Sequence, residues 1–365
     1  MTADGISTAE LQEVLAAGRP ITVVDIRSAD DREWSIPGSI SLDVYDTVKA
    51  GGLGPLAEFD FPPGPVVTVC GMGRTAAIAA KLLRDNGVDA VTLDGGMRAW
   101  SRAWNIAEAT IADSDVVQVR RTGKGCLSYI VASQGEAVVI DASVDEDVYV
   151  RLLNERGWRL VSVVDTHVHA DHLSRAKRLA GRMRTELYLP AQDRIRYPFR
   201  PLMDGDRILF GSAELIAWHT PGHTAESTSY VLNQRAAFTG DTLFLSSVGR
   251  PDLEGGGQDA AIARARSLHT SIRRLLDLAA DTLVLPGHVS EPIAFDHRLL
   301  ATTVAGIRNN VELTRLTADA FVAAVLARIP TSPPNHSRIL ELNEQGELPD
   351  DPSELETGAN RCAVN

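Results

Sequence analysis

Over the first hundred residues, short apolar runs alternate with longer segments of helical period. ITVVDIR (21–27), VVTVC (66–70) and AVTLDGG (90–96) are β-branched runs with the pattern of buried strands. Between the last two, TAAIAAKLLRDNG repeats its apolar positions at helical spacing and stops at Gly87. Strand, helix and strand in that order predict a parallel sheet of α/β type.

Beyond Trp100 and Trp104 the polar stretch NIAEATIADSD reads as a linker, after which a second pattern begins. CLSYIVAS and EAVVIDAS, separated by Gln-Gly, read as paired strands, and RLVSVVDTHVH is a strand that runs directly into a histidine-rich loop. From about residue 295 helical patterns dominate, ending in a proline-rich acidic tail with one short helix.

A chain of 365 residues exceeds the roughly 100–200 residues of an ordinary domain, so two domains are expected. The first is placed at residues 1–108 and the second at 114–320, with 321–365 as a helix and tail packed on the second.

Charge and cysteine usage narrow the partners. A formal net charge of -12 argues against binding nucleic acid, which needs a basic surface. No apolar run approaches the ~20 residues of a membrane span, and the acidic N-terminus does not read as a signal or transit peptide. Cys70, Cys126 and Cys362 form no disulfide framework, so a reducing cytoplasm is expected. Only four lysines are present, Lys49, Lys81, Lys124 and Lys177, among 36 basic residues. Whether the chain forms a homo-oligomer stays open.

THVHADH (166–172) holds three of the nine histidines. His167, His169, Asp171 and His172 spell H-x-H-x-D-H at the point where a strand opens into a loop, an arrangement able to build adjacent metal sites. HTPGHT, FTGDTLF and LPGH then place His223, Asp241 and His288 after Gly at the ends of further apolar runs. Four such loops point to metal binding. His219 alternates within a strand-like stretch and is assigned a hydrogen-bonded structural role. His269, His297 and His336 lie in helical or tail sequence, and Cys126 is assigned to packing on a strand with no donors near it.

These four loops resemble the metallo-β-lactamase superfamily across about residues 114–320, which implies an αββα sandwich with the donors at one edge. Two chemistries within that superfamily use nearly the same letters. Glyoxalase II enzymes use two zinc ions, Asp241 bridging, to hydrolyse a thioester. Persulfide dioxygenases use one Fe(II), and their ligands match His167, His223 and Asp241, leaving His169, Asp171, His172 and His288 as second-metal candidates or as shapers of the pocket. Two histidines and one carboxylate on a face leave positions for a sulfur ligand and O2. FTGDTLFLSSVGRPDLEGG is similar to the dioxygenases' TGD…GR-x-D segment, with Arg250 as the candidate substrate contact and Asp252 completing the word. The terminal GANRCAVN is similar to their tail. The residues after His288, VSEP, depart from the aromatic residue common there.

Cys70 opens the loop CGMGRT between a strand and a helix, where backbone N–H groups and the helix's positive end favour thiolate. VVDIRSADDREWSIPGSI, this loop and LDGGMRAW resemble the rhodanese domain across about residues 5–105. The resemblance implies that Cys70 carries a persulfide, with Arg74 as a second catalytic candidate and Gly71, Met72, Gly73 and Thr75 forming the sulfur-binding loop. A phosphatase loop would need Arg where Ala76 stands. Ser35 replaces the usual His before Ile-Pro-Gly.

Together the two resemblances imply a sulfur-oxidation enzyme. A thiol persulfide would be oxygenated with one Fe(II) per chain to sulfite and free thiol, coupled through Cys70 to thiosulfate or sulfite. The alternative is a thioester hydrolase with two zinc per chain and an accessory sulfurtransferase domain. The low-molecular-weight thiol carrier, glutathione or another, stays open.

Overall fold

The computed structural model describes residues 4–333, 335–358 and 360–364. Residues 1–3 of the expected first domain, Pro334 of the tail, and Ala359 and Asn365 of GANRCAVN lie outside the described residues.

The three early strands form at Thr22–Asp25, Val66–Val69 and Ala90–Leu93 and pair in parallel. Gly5–Ile6 and Ile40–Ser41 extend them at either edge to a five-stranded sheet. Every residue of the three central strands is buried, as a parallel sheet covered on both faces requires. One face takes Ala76, Ala79, Ala80 and Leu83 of the helix Arg74–Asp85. The other takes Leu11 of the helix Thr8–Ala16 and Trp100.

Two facing sheets make up the second unit. The first has seven strands, running in space from Arg200–Leu202 through Glu186–Pro190, Arg159–Val164, Glu136–Ile140 and Leu127–Ser133 to Ser114–Arg120 and Asn105–Ile111. The second has six, among them Ala213–His219, Thr228–Leu232, Ala236–Gly240 and Leu283–Pro286.

Alternation along Leu127–Ser133 sends Leu127, Tyr129 and Val131 into the core between the sheets and Ile130 and Ala132 outward. Tyr129 meets Phe238 of the opposite sheet edge-on at 4.8 Å between ring centroids. The outer faces are covered by Glu146–Arg156 and Ala176–Met183 on one side, and by Gly257–Leu276, Val304–Asn310 and Ala318–Ala327 on the other. The result is the four-layered αββα sandwich beside an α/β domain.

The stretch expected to be a linker is instead a β-hairpin. Asn105–Ile111 pairs antiparallel with Ser114–Arg120 and closes one edge of the seven-stranded sheet. The tail holds both units rather than the second alone. Ile339 and Leu342 of the helix His336–Gln345 pack on Leu173, while Asp351 pairs with Arg98 and Arg102, and Arg361 with Glu33.

Candidate functional site

The strand Arg159–Val164 ends at Asp165, and the chain then turns through THVHADH with every residue from Asp165 to His172 buried. Asn343 of the tail helix fixes this turn by donating to the carbonyl oxygens of His169 and His172 at 2.8 and 2.9 Å. Asp241 follows the strand Ala236–Gly240, and His288 follows Leu283–Pro286. Gly287 lies against Gly240, where a Cβ would stand 2.7 Å from the Asp241 carboxylate, so the two strand ends meet only through glycine.

His167, His223 and Asp241 converge. The Nε2 atoms of His167 and His223 stand 3.9 and 3.6 Å from Asp241 Oδ2, and all three atoms are buried without a hydrogen-bond partner. Buried polar atoms in native proteins are almost always satisfied; three orphans aimed at one point fit a metal ion. Hydrogen bonds behind the rings set the tautomers. His223 Nδ1–H donates to the Arg250 carbonyl at 2.8 Å, and His167 Nδ1–H to Thr166 Oγ1 at 2.9 Å, whose hydroxyl donates onward to Asp141. Burial holds both imidazoles below their ordinary range, reinforced at His167 by His169. Neutral rings with free Nε2 atoms are the ligand form.

His169, Asp171, His172 and His288 do not join that triad. His169 faces Asp141 and Asp165, with Nε2 3.3 Å from Asp141 Oδ1. His288 is held between two carboxylates, Nδ1 2.5 Å from Asp241 Oδ1 and Nε2 2.7 Å from Asp171 Oδ2. Although burial opposes ionisation, His288 holds the Asp241 carboxyl well below the usual carboxylate range.

Cys126 corrects the sequence expectation of an isolated packing thiol. Its Sγ lies 3.4 Å from Asp171 Oδ2, and with Asp171, His172 and His288 it forms a second buried donor cluster whose ligand atoms lie within 4.8 Å of one another. Burial and Asp171 push the thiol up, but His288 and His172 outweigh them and bring it to about 7. The backbone bridge between Cys126 and His288 makes this neighbourhood, which no spacing in the sequence could reveal.

Cys70 ends its strand buried beneath the loop. The Ala76 amide donates to its Sγ at 3.4 Å, an interaction the residues Gly71 to Thr75 did not include. Gly73, at φ 84°, caps the helix Arg74–Asp85. LDGGMRAW closes over the loop, with the Met97 and Arg98 amides donating to the Cys70 and Gly71 carbonyls; a Cβ on Gly96 would lie 2.2 Å from the Cys70 carbonyl oxygen. Met72 and Arg74 are exposed, whereas Gly73 and Thr75 are buried.

Arg250, expected as a substrate contact, is instead a buried clamp. Its guanidinium is bidentate to Asp252 at 2.8 Å for both bonds and donates to the Arg361 carbonyl at 3.1 Å. His219 is exposed and bonded through Nε2 to the Ala225 carbonyl at 2.9 Å. His269, His297 and His336 belong to none of the donor clusters among the described residues. Cys362 is buried against Ala170, Phe244 and Leu253. Glu356, in the acidic tail, was missed: fully buried, it accepts from Arg121 at 2.8 Å, Arg175 at 2.7 Å and the Leu173 amide at 2.7 Å. Among the described residues no helix is long and apolar enough to cross a membrane.

Fold and site together define a metal-centre αββα protein joined to a thiol-bearing α/β domain. Residues 121–288 match the metallo-beta-lactamase superfamily, and residues 7–103 match the rhodanese-like domain. The chain belongs to the metallo-β-lactamase superfamily and carries a rhodanese-like domain ahead of it. A probable metallo-hydrolase of Burkholderia pseudomallei is 31% identical over 250 residues, covering 56% of this chain and 83% of that protein. A hydroxyacylglutathione hydrolase of Rhodospirillum rubrum is 34% identical over 157 residues, covering 42% of this chain and 57% of the relative. The solved structure of ETHE1 from Myxococcus xanthus superposes with a TM-score of 0.56 at 25% identity, covering 63% of this chain and 98% of that one.

Proposed function

We propose that the chain is an Fe(II)-dependent persulfide dioxygenase coupled to a sulfurtransferase. A low-molecular-weight thiol persulfide, O2 and water would give the free thiol, sulfite and two protons. The observation that carries this reading is the 2.5 Å contact of His288 Nδ1 with Asp241 Oδ1. It occupies one carboxylate oxygen and leaves Oδ2 alone to face the Nε2 atoms of His167 and His223. Two histidines and one carboxylate oxygen on a face suit mononuclear iron.

Bound there, Fe(II) would supply adjacent positions for the terminal sulfur of the persulfide and for O2. The chain's own part is to fix the geometry. Asp141, through Thr166, orients His167, the Arg250 carbonyl orients His223, and His288 immobilises Asp241. A cavity of about 650 Å³ opens beside His288, lined by Phe244, Ser246, Ser247, Val289, Ile293 and Ala363; it suits the body of a thiol carrier. In the rhodanese-like domain, Cys70 would hold sulfane sulfur as a persulfide, with the Ala76 amide donating to its sulfur. The ETHE1 likeness, which spans nearly the whole of that chain, supports the dioxygenase reading.

A second reading, a di-zinc thioester hydrolase, is favoured by the cluster of Cys126, Asp171, His172 and His288. Metal analysis of protein produced with both metals supplied, paired with an oxygen electrode, separates the two. One iron with O2 uptake on added persulfide supports the proposal; two zinc, no uptake and thioester cleavage select the hydrolase.

A further inference from the structure

Two cavities adjoin between the Cys70 loop and the metal clusters. The first, about 470 Å³, is lined by Gly71 and Met72 of the Cys70 loop together with Trp34 and Gly123. The second, about 250 Å³, is lined by Asp171, Lys124 and Arg361 among others. Glu33, Thr357 and Gly358 wall both.

The turn between Arg121 and Cys126 runs the same course. The Trp34 indole N–H donates to the Thr122 carbonyl at 2.8 Å, Gly123 faces the first cavity, Lys124 faces the second, and Cys126 belongs to the metal-side cluster. Three residues of extended chain span at most about 11 Å. The turn therefore carries the wall of the first cavity directly to the metal-side cluster of Cys126.

Lys124 is 4% exposed, and among the described residues its ammonium has no hydrogen bond or ion pair. The side chain is enclosed but lines the second cavity, from which an anion would pair with its charge. The other charges on the second cavity are already engaged: Glu33 with Arg361, and Asp171 with His288 and Asn360. A lone cation on a space too small for a drug-sized ligand calls for a small inorganic anion.

We propose that Lys124 binds a small sulfur oxyanion, sulfite or thiosulfate, in a chamber between the two centres. The role assigned to that anion rests on the dioxygenase reading. Sulfite released on the metal side passes Lys124 and attacks the outer sulfur of the Cys70 persulfide. A bond forms between the two sulfurs, the persulfide S–S bond breaks, Cys70 keeps the electron pair as thiolate, and thiosulfate leaves. No external oxidant or reductant is needed.

Calorimetric titration of sulfite and of thiosulfate into the full chain, with Cys70→Ser to stop turnover, tests the site. One site per chain is expected, weakened at least about thirtyfold by adding Lys124→Met, the scale of losing one partner of a buried charge contact. Lys124→Met alone should keep a thermal midpoint no lower than the native chain's, which reports intact folding. Equal binding with and without Lys124, or no binding of either anion, overturns the proposal. Absence of O2 uptake by the native chain would instead overturn the dioxygenase reading, and the titration would still decide the anion site.

Discussion

The Nδ1–H of His223 donates to the backbone carbonyl of Arg250 at 2.8 Å, while the guanidinium of that same arginine grips Asp252 and the tail carbonyl of Arg361. One residue thus aims a metal-facing imidazole through its backbone and anchors the C-terminal tail through its side chain. Arg250→Lys should loosen both. Because such supporting contacts typically govern about 10–100-fold in metal affinity, iron should dissociate more readily in chelator competition, while thiosulfate:cyanide transfer at Cys70 is unchanged.

The two centres should separate cleanly by substitution. Asp241→Ala removes the carboxylate of the triad, so iron content and O2 uptake should both fall to background with sulfur transfer retained. Cys70→Ser should do the reverse. Loss of O2 uptake on supplied persulfide in Cys70→Ser would contradict the independence of the two sites.

Much of this architecture was legible in the chain, because the signals were local. The buried strands around Val66–Val69, the helix after Cys70 and the four loops of donors are written in consecutive residues. The hairpin 105–120 was not. Its turn is Ala112–Asp113, both at positive φ (50° and 62°), a geometry that usually advertises itself as Asn-Gly; with Ala in place, the polar run resembled a linker. Cys126 and Glu356 failed for a different reason. Their partners lie 45 residues away at Asp171 and 235 and 181 residues away at Arg121 and Arg175, so only the folded sheets and the returning tail create their chemistry.

Glu356 should be a determinant of stability. Burial alone would raise its carboxyl, yet Arg121 and Arg175 hold it well below the usual range. A depressed carboxylate contributes stability that is present above its unfolded value near 4.3 and is lost as pH falls through the lower folded value. Glu356→Gln leaves two buried guanidinium groups uncompensated and should cost about 3–5 kcal/mol in denaturant unfolding at neutral pH. The difference between variant and native chain should shrink as the medium is acidified below the ordinary carboxylate range; a constant difference down to strong acid would count against the assignment.

Cys126→Ser discriminates one metal from two. If Cys126, Asp171, His172 and His288 only shape the pocket, the variant, whose serine keeps a donor toward Asp171, should keep one iron per chain and lose less than about tenfold in O2 uptake, the scale of one weakened hydrogen bond. Loss of a second bound metal in the variant would establish the cluster as a ligand set.

The oxygen electrode tests the central claim most directly. With iron-loaded protein and excess thiol persulfide, the account predicts one O2 consumed for each sulfite formed, with uptake abolished in Asp241→Ala and preserved in Cys70→Ser. Iron-loaded native protein that consumes no O2 with any thiol persulfide, yet cleaves a thioester when loaded with zinc, would contradict it.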